Sequence, residues 1–221
     1  LTVTTLGGNV TNIGEYAFFD CYKLVEVYNK SSLDVKAKSR DNGFVGYYAK
    51  AIYTKEYTSK LSVDENGYIV YTDGKDKILI GYTGTKTEIS LPKNITEIYQ
   101  YAFYENSKIT KVTIPDDVKN IGERAFYNCS SLSNITVSDK NANYKSIKGN
   151  LYTKNCKTLI QYAIGKTDTA FTVPDIVTDI GESAFYGCTT LNNVTIAKSV
   201  TNIGIWAFGG CSSITGITIP N

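Results

Sequence analysis

The sequence repeats itself, and the repeat narrows the folds open to it more than any other feature. Ala-Phe recurs at Ala17-Phe18, Ala102-Phe103, Ala125-Phe126, Ala184-Phe185 and Ala207-Phe208. Five residues before each phenylalanine stands Ile13, Ile98, Ile121, Ile180 or Ile203. Three residues earlier again comes Val10, Ile95, Val118, Val177 or Val200. After the phenylalanine the pattern continues with Cys21, Asn106, Cys129, Cys188 or Cys211, and then with Leu24, Ile109, Leu132, Leu191 or Ile214. Phe103 to Phe126 spans 23 residues, as does Phe185 to Phe208. That period is the length of one coil of a solenoid.

Within a coil, Val112-Thr113-Ile114-Pro115 and Ile217-Thr218-Ile219-Pro220 alternate apolar and polar residues, as a strand with one buried face does. The proline ends the strand because it has no N–H for the ladder. Glycine follows the isoleucine at Gly14, Gly122, Gly181 and Gly204, where an easy turn is expected; Tyr99 replaces it in the fifth copy. Coils stacked at about 4.7–4.9 Å would set equivalent side chains above one another. Phe18, Phe103, Phe126, Phe185 and Phe208 are therefore expected to form one file of rings. A single coil cannot stand alone. Ordering its backbone costs roughly 1–2 kcal/mol per residue, whereas each buried side chain returns only about 1.5–3 kcal/mol. One continuous domain over residues 1–221 is the expectation.

Two insertions, at about 31–86 and 138–170, account for the longer gaps between phenylalanines. Both hold related segments. Tyr71-Thr72, a turn at Asp73-Gly74, and Leu79-Ile80-Gly81-Tyr82 match Tyr152-Thr153, a turn at Lys154-Asn155, and Leu159-Ile160-Gln161-Tyr162. Each reads as a β-hairpin leading back to a strand that ends in proline, at Leu91-Pro92 and Val173-Pro174. Residues 31–62 fit no repeat and are rich in tyrosine, with Tyr47, Tyr48, Tyr53 and Tyr57.

The run Val-x-x-Ile-Gly-x-x-Ala-Phe-x-x-Cys-x-x-Leu-x-x-Ile-x-Ile-Pro, nearly unbroken at Val118–Val137, Val177–Ile196 and Val200–Pro220, resembles the BspA-like leucine-rich repeat family. The segment Ile147–Pro174 is similar to a hairpin-bearing coil of that family. The resemblance covers most of the chain outside 31–62. It implies a β-rich solenoid, a right-handed leucine-rich-repeat array with short helical or 3-10 turns and inserted hairpins. It also implies a cell-surface or secreted location, an adhesin-like role and no catalytic residues. It names no ligand.

The chemistry that could support another reading is missing. With no histidine, a Ser/His/Asp or Cys/His set cannot be assembled. The five cysteines contain no Cys-x-x-Cys, so no zinc site is expected, and no cofactor either. Cys21, Cys129, Cys188 and Cys211 share one repeat position, filled by Asn106 in the fifth copy. They read as buried free thiols that bond to neighbouring backbone, since parallel side chains point the same way and do not meet as disulfides. Cys156, in a hairpin turn, is expected to be exposed. Gly165-Lys166-Thr167 lacks the upstream glycine of a phosphate loop. Asp64-Glu65-Asn66-Gly67 lacks the later ligands of a calcium loop and reads as a turn. Asn134-Ile135-Thr136 and Asn193-Val194-Thr195 are read as products of the strand pattern, not glycosylation sites. A net charge of +2 gives no reason to expect nucleic acid, and no apolar stretch is long enough to enter a membrane as a spanning helix.

Binding is the remaining class of function. Alternation turns Glu26 and Tyr28, Lys111 and Thr113, Asn134 and Thr136, Asn193 and Thr195, and Gly216 and Thr218 outward as a polar strip. Such a strip also suits any exposed sheet. The rival surface is the tyrosine-rich stretch 44–57, because long irregular segments in compact arrays are often functional. The 18 tyrosines suit either recognition or strand formation. Tyr28, Thr113, Thr136, Thr195, Tyr47 and Tyr48 are the candidate partner-binding residues. The partner is a protein or glycan, and the chain is expected to be a monomer. Neither end carries a polar capping unit, so the chain is expected to be a piece of a longer array. A spacer that projects another domain from the cell surface is the alternative function.

Overall fold

The alternating segments of the repeat become strands in every copy, and the spacing of the repeat sets their register. The computed structural model describes residues 1–219, so the strand-ending role expected of Pro220 lies outside the described residues. It divides into two compact units, Leu1–Ser62 and the chain from Val63 onward.

In the second unit, Glu88–Ser90, Lys111–Ile114 and Asn134–Val137 form a parallel sheet. Glu88 pairs with Lys111, and Lys111 with Asn134, so each step is one repeat. Ala170–Thr172, Asn193–Thr195 and Gly216–Thr218 form a second sheet with the same offset. Further along each coil, Glu97–Ile98 pairs with Asn120–Ile121, and Asp179–Ile180 with Asn202–Ile203. Val112, Ile114 and Ile135 are buried while Thr113 and Thr136 are half-exposed, the period-2 pattern of a strand with one face in the core.

The Ala-Phe segment is a turn with an unusual division of labour. Tyr101, Arg124, Ser183 and Trp206 have φ of 57°, 54°, 54° and 57°, as do Glu105 and Asn128 at 53° two residues after the phenylalanine. Gly187 and Gly210 take that second position in the later coils, at 74° and 67°. The left-handed residues make the N–H groups alternate in direction. Ala102 N and Tyr104 N donate within their own turn, to Tyr99 and Tyr101, whereas Tyr101 N, Phe103 N and Glu105 N donate to Glu123, Ala125 and Tyr127 of the next coil. Ser183, Phe185 and Gly187 bond to Ile205, Ala207 and Gly209 in the same way. The expected helical or 3-10 turns therefore do not form here, because half of the donors are committed to the neighbour. Asn42–Phe44 is the one 3-10 segment among the described residues.

None of the four glycines after the repeat isoleucine adopts a positive φ. A Cβ at Gly122 would lie 2.4 Å from Gln100 N, and one at Gly204 would lie 2.6 Å from Glu182 N. At these two positions close approach of the coils, not turn geometry, excludes the side chain, whereas a Cβ at Gly14 would meet nothing within 4 Å.

The phenylalanines stack, but not in one file. Phe103 and Phe126 are 5.2 Å apart with planes 3° apart, and Phe185 and Phe208 are 4.8 Å and 15° apart. The inserted coil supplies Tyr162, stacked on Phe185 at 5.1 Å. Two clusters of buried side chains result, around Phe103 and Phe126 and around Tyr162 and Phe185. Phe18 belongs to the first unit's own core with Leu24, Val27 and Val45.

Both expected hairpins form. Tyr68–Asp73 pairs antiparallel with Asp76–Tyr82, whose Ile78 and Leu79 continue beside Glu97 and Ile98. Tyr144–Ile147, Asn150–Thr153 and Thr158–Gln161 form a meander whose last strand pairs with Asp179–Ile180. Asn141, fully buried, clamps the start of this insertion: its Nδ2 donates to Pro115 O and Val118 O, and its Oδ1 accepts from Asn143 N and Tyr144 N. Asp64 Oδ1 accepts from Asn66 N and Tyr68 N, as a turn requires.

The first unit pairs Val3–Leu6, Glu26–Asn29 and Ala51–Tyr53 in parallel. Residues 31–62 thus contain a coil of their own, which the sequence pattern concealed because Glu26 pairs with Ala51 at a spacing of 25, not 23.

Gly122→Ala is expected to lower stability by several times more than Gly14→Ala, whose Cβ would meet nothing within 4 Å; denaturant unfolding of the two variants checks this. Burial pushes Tyr68 and Tyr152 up to about 12 from 10.0, and Cys211 up to about 11 from 9.0. The unfolded chain therefore releases these protons first, so the stability they contribute is intact below about pH 9 and is lost as pH rises towards 11–12. Thermal melts from pH 8 to pH 11 should show a falling midpoint.

Candidate binding surfaces

Thr113 and Thr136 sit on adjacent strands of one sheet, and Thr195 on the other, all half-exposed. Thr136 Oγ1 donates to Asn134 Oδ1 at 3.3 Å, and Lys111 pairs loosely with Glu88 at 3.9 Å. The polar strip exists, but it is cut in two. The inserted meander separates Asn134–Val137 from Ala170–Thr172, and Ile135 N donates to Gly149 O at the hairpin tip.

In the first unit the expectations change more. Glu26 was expected to face solvent and is fully buried. Its carboxylate accepts from Lys60 N at 2.8 Å and from Ser59 Oγ at 2.7 Å, which ties residues 59–60 across the end of the strand. The strand's polar side is covered by chain that the repeat pattern does not describe. Tyr28, beside it, is half-buried with its ring 5.2 Å from Tyr53. Tyr48, a candidate partner residue, is buried at 9% exposure, edge-on to Tyr22 and Tyr47 at 5.4 and 4.8 Å. It serves packing, because the coil in 31–62 turns it inward.

Tyr47 stays half-exposed and joins a cluster that the sequence did not assemble. Tyr16 and Phe19, 57% and 47% exposed, flank the first Ala-Phe. Phe44 stacks on Tyr16 at 5.6 Å, stands edge-on to Phe19 at 5.2 Å, and touches Tyr47 at 5.5 Å. The Arg40 guanidinium lies 5.9 Å from the Tyr47 ring. Tyr16 and Phe19 occupy variable positions of the repeat, so only the fold of residues 40–47 against the first coil reveals the group. The flanking aromatics alone give no signal, since Tyr101-Ala102-Phe103-Tyr104 carries the same arrangement.

The second unit carries a tyrosine ladder one residue after the phenylalanines. Tyr104 stacks on Tyr127 at 5.2 Å, and Tyr127 on Tyr186 at 4.1 Å. Arg124 lies 5.9 Å from the rings of both Tyr101 and Tyr127, donates to Tyr101 Oη at 2.9 Å, and meets Glu182 at 2.5 Å. Burial, together with the Tyr186 hydroxyl, holds the Tyr127 phenol well above its ordinary range. Each tyrosine of the ladder is half-buried.

The cysteines follow the expectation in part: Cys129 and Cys188 are buried, Cys21 and Cys211 only half-buried, and Cys188 Sγ lies 3.7 Å from Thr190 Oγ1. All five are free. Cys129 Sγ donates to Phe103 O at 3.0 Å and Cys211 Sγ to Phe185 O at 3.1 Å, each to the phenylalanine one coil back. Asn106 Oδ1 instead accepts from Lys108 N and Ile109 N. Cys156 is buried, contrary to its expected exposure, with its Sγ 3.8 Å from Lys154 O in the hairpin turn. Among the described residues no group of three or more His, Cys, Asp or Glu side chains is placed to hold a metal ion, and no helix is long and apolar enough to cross a membrane.

The stacked coils, the Ala-Phe turns and the hairpin insertions define a leucine-rich-repeat protein of the BspA type. The BspA type leucine rich repeat region matches in six copies over residues 1–40, 82–172 and 167–221, and the chain belongs to that family. Three solved structures share the fold. The pneumococcal vaccine antigen PcpA is 17% identical with a TM-score of 0.56, over 100% of this chain and 51% of that one. A leucine-rich repeat protein from Eubacterium ventriosum is 23% identical with a TM-score of 0.55, over 99% and 60%. A leucine rich cell surface protein from Faecalibacterium prausnitzii is 21% identical with a TM-score of 0.52, over 100% and 60%. The chain thus spans between half and three-fifths of the length of these proteins. No functionally curated protein matches the sequence.

Glu26→Ala removes the acceptor that holds residues 59–60. Limited proteolysis should then cut within 54–60 about tenfold faster than in the native chain, because local opening loses a charged hydrogen bond worth roughly 1.5–3 kcal/mol.

Proposed function

We propose that this chain is a non-catalytic, adhesin-like binding module, displayed on a cell surface or secreted, which recognises a host or matrix protein. The observation that carries the reading is the exposed cluster of Tyr16, Phe19, Phe44 and Tyr47 with Arg40 beside it. Large stiff rings with an adjoining arginine are the side chains that dominate protein–protein binding energy. Four such rings held against one another lose little conformational freedom on binding, which favours affinity. Family membership and the likeness to a cell surface protein support the location. The interior is filled by apolar columns and hydrogen-bonded turns, which leaves the surface to carry the activity. A spacer needs no aromatic cluster and would carry an evenly polar exterior.

Immobilised extracellular-matrix proteins probed with the purified chain should show saturable binding. A Tyr16→Ala/Tyr47→Ala variant should bind at least about tenfold more weakly, since two anchor residues at more than about 1 kcal/mol each are removed. Absence of binding to every matrix protein would favour the spacer, and turnover of any substrate would revive an enzyme.

A further inference from the structure

The second unit holds a cavity of about 410 Å³ at the break in its parallel ladder, lined by Lys148, Tyr152, Lys166, Asp168, Phe171 and Thr172 among others. Its size lies in the range of small-ligand sites. The insertion creates it. The hairpin turns at Lys148-Gly149, whose φ values of 49° and 79° suit a two-residue turn, and its tip bonds to Ile135. Ala170–Thr172 is left as the edge strand of the next sheet.

That edge offers peptide groups to the cavity. Thr169 O accepts from Asn193 N, and Val173 N donates to Thr195 O, so the odd-numbered residues face the neighbouring strand. The alternation of a parallel ladder then points the N–H and C=O of Ala170 and Thr172 to the free edge. Phe171, half-exposed, and Tyr152 give the cavity aromatic surface.

The charges around it are two ammonium groups against one carboxylate. The Lys166 ammonium donates to the Lys148 carbonyl and lies 5.4 Å from the Tyr162 ring centroid. Burial lowers its pKa, with Asp168 acting in the opposite sense. A carboxylate beside it would offset that desolvation, and in a half-enclosed site the attraction is stronger than in bulk water.

We propose that this cavity binds an acidic sugar, a hexuronate unit of a glycan. The carboxylate sits at Lys166 and Lys148, ring hydroxyls meet the peptide groups of Ala170 and Thr172, and the C–H face of the sugar lies on Phe171. An acidic peptide added to the sheet edge fits less well, because the edge is only three residues long. The site is separate from the Tyr16–Tyr47 cluster, so either assignment can fail without the other.

The test titrates glucuronate, glucose and acetate into the isotopically labelled whole chain, with thermal melts to verify that each variant is folded. Glucuronate should bind saturably, with shifts at 147–152 and 166–174, and at least about tenfold more tightly than glucose or acetate. Lys166→Gln and Lys148→Gln should each weaken it about tenfold or more, and Tyr16→Ala/Tyr47→Ala should leave it unchanged. The proposal is overturned by absent or non-saturable binding, by shifts elsewhere, by equal affinity for acetate, or by folded lysine variants that bind as the native chain does.

Discussion

Hydrogen bonding between successive coils is the constraint on which this molecule depends. Strands of successive coils pair in parallel, and the turns at 101–105 and 183–187 donate every second N–H to the next turn. A slip of one residue in the register between coils would put those donors out of phase in both places at once. Buried backbone groups without partners cost about 1–3 kcal/mol each, so the register is held by many small penalties together. The stacked rings, the thiols bonded to phenylalanine carbonyls and the glycines pressed against the coil below are consequences of that register.

The insertions show how such a constraint is evaded. Each leaves the ladder as an antiparallel hairpin and returns by donating its last strand to the short parallel ladder, so no register has to be broken. The cost falls on the long strands, which in the second unit are separated into two sheets. Polar side chains repair the junction. Asn141 satisfies carbonyls of the preceding coil, and the hairpin tip gives Gly149 O to Ile135 N. The cavity and its free strand edge are the remainder of that repair.

The repeat divides its positions between those that pack and those that vary. The positions that recur face inward and are spent on packing. Those that vary, before the alanine and after the phenylalanine, lie on the turn and can carry Tyr16, Phe19, Tyr104, Tyr127, Tyr186 or Arg124 at little expense to the core. The first of these positions is left-handed in all five copies, at Tyr16, Tyr101, Arg124, Ser183 and Trp206. A surface rich in rings is thus compatible with a rigid, almost wholly β scaffold.

Much of this was legible in the amino-acid order. The 23-residue period, the strand alternation, both hairpins and the free thiols follow from residue spacing, because stacking copies a local pattern directly into space. The coil in 31–62 was not legible, since its spacing of 25 breaks the pattern while its backbone still pairs. Nor was the burial of Glu26 and Tyr48, or the meeting of Tyr16 and Phe19 with Phe44 and Tyr47. Those outcomes depend on how non-repeating chain folds back over a coil distant in sequence. Periodicity determines which face of a strand is inward; only the packed chain decides what covers the other face.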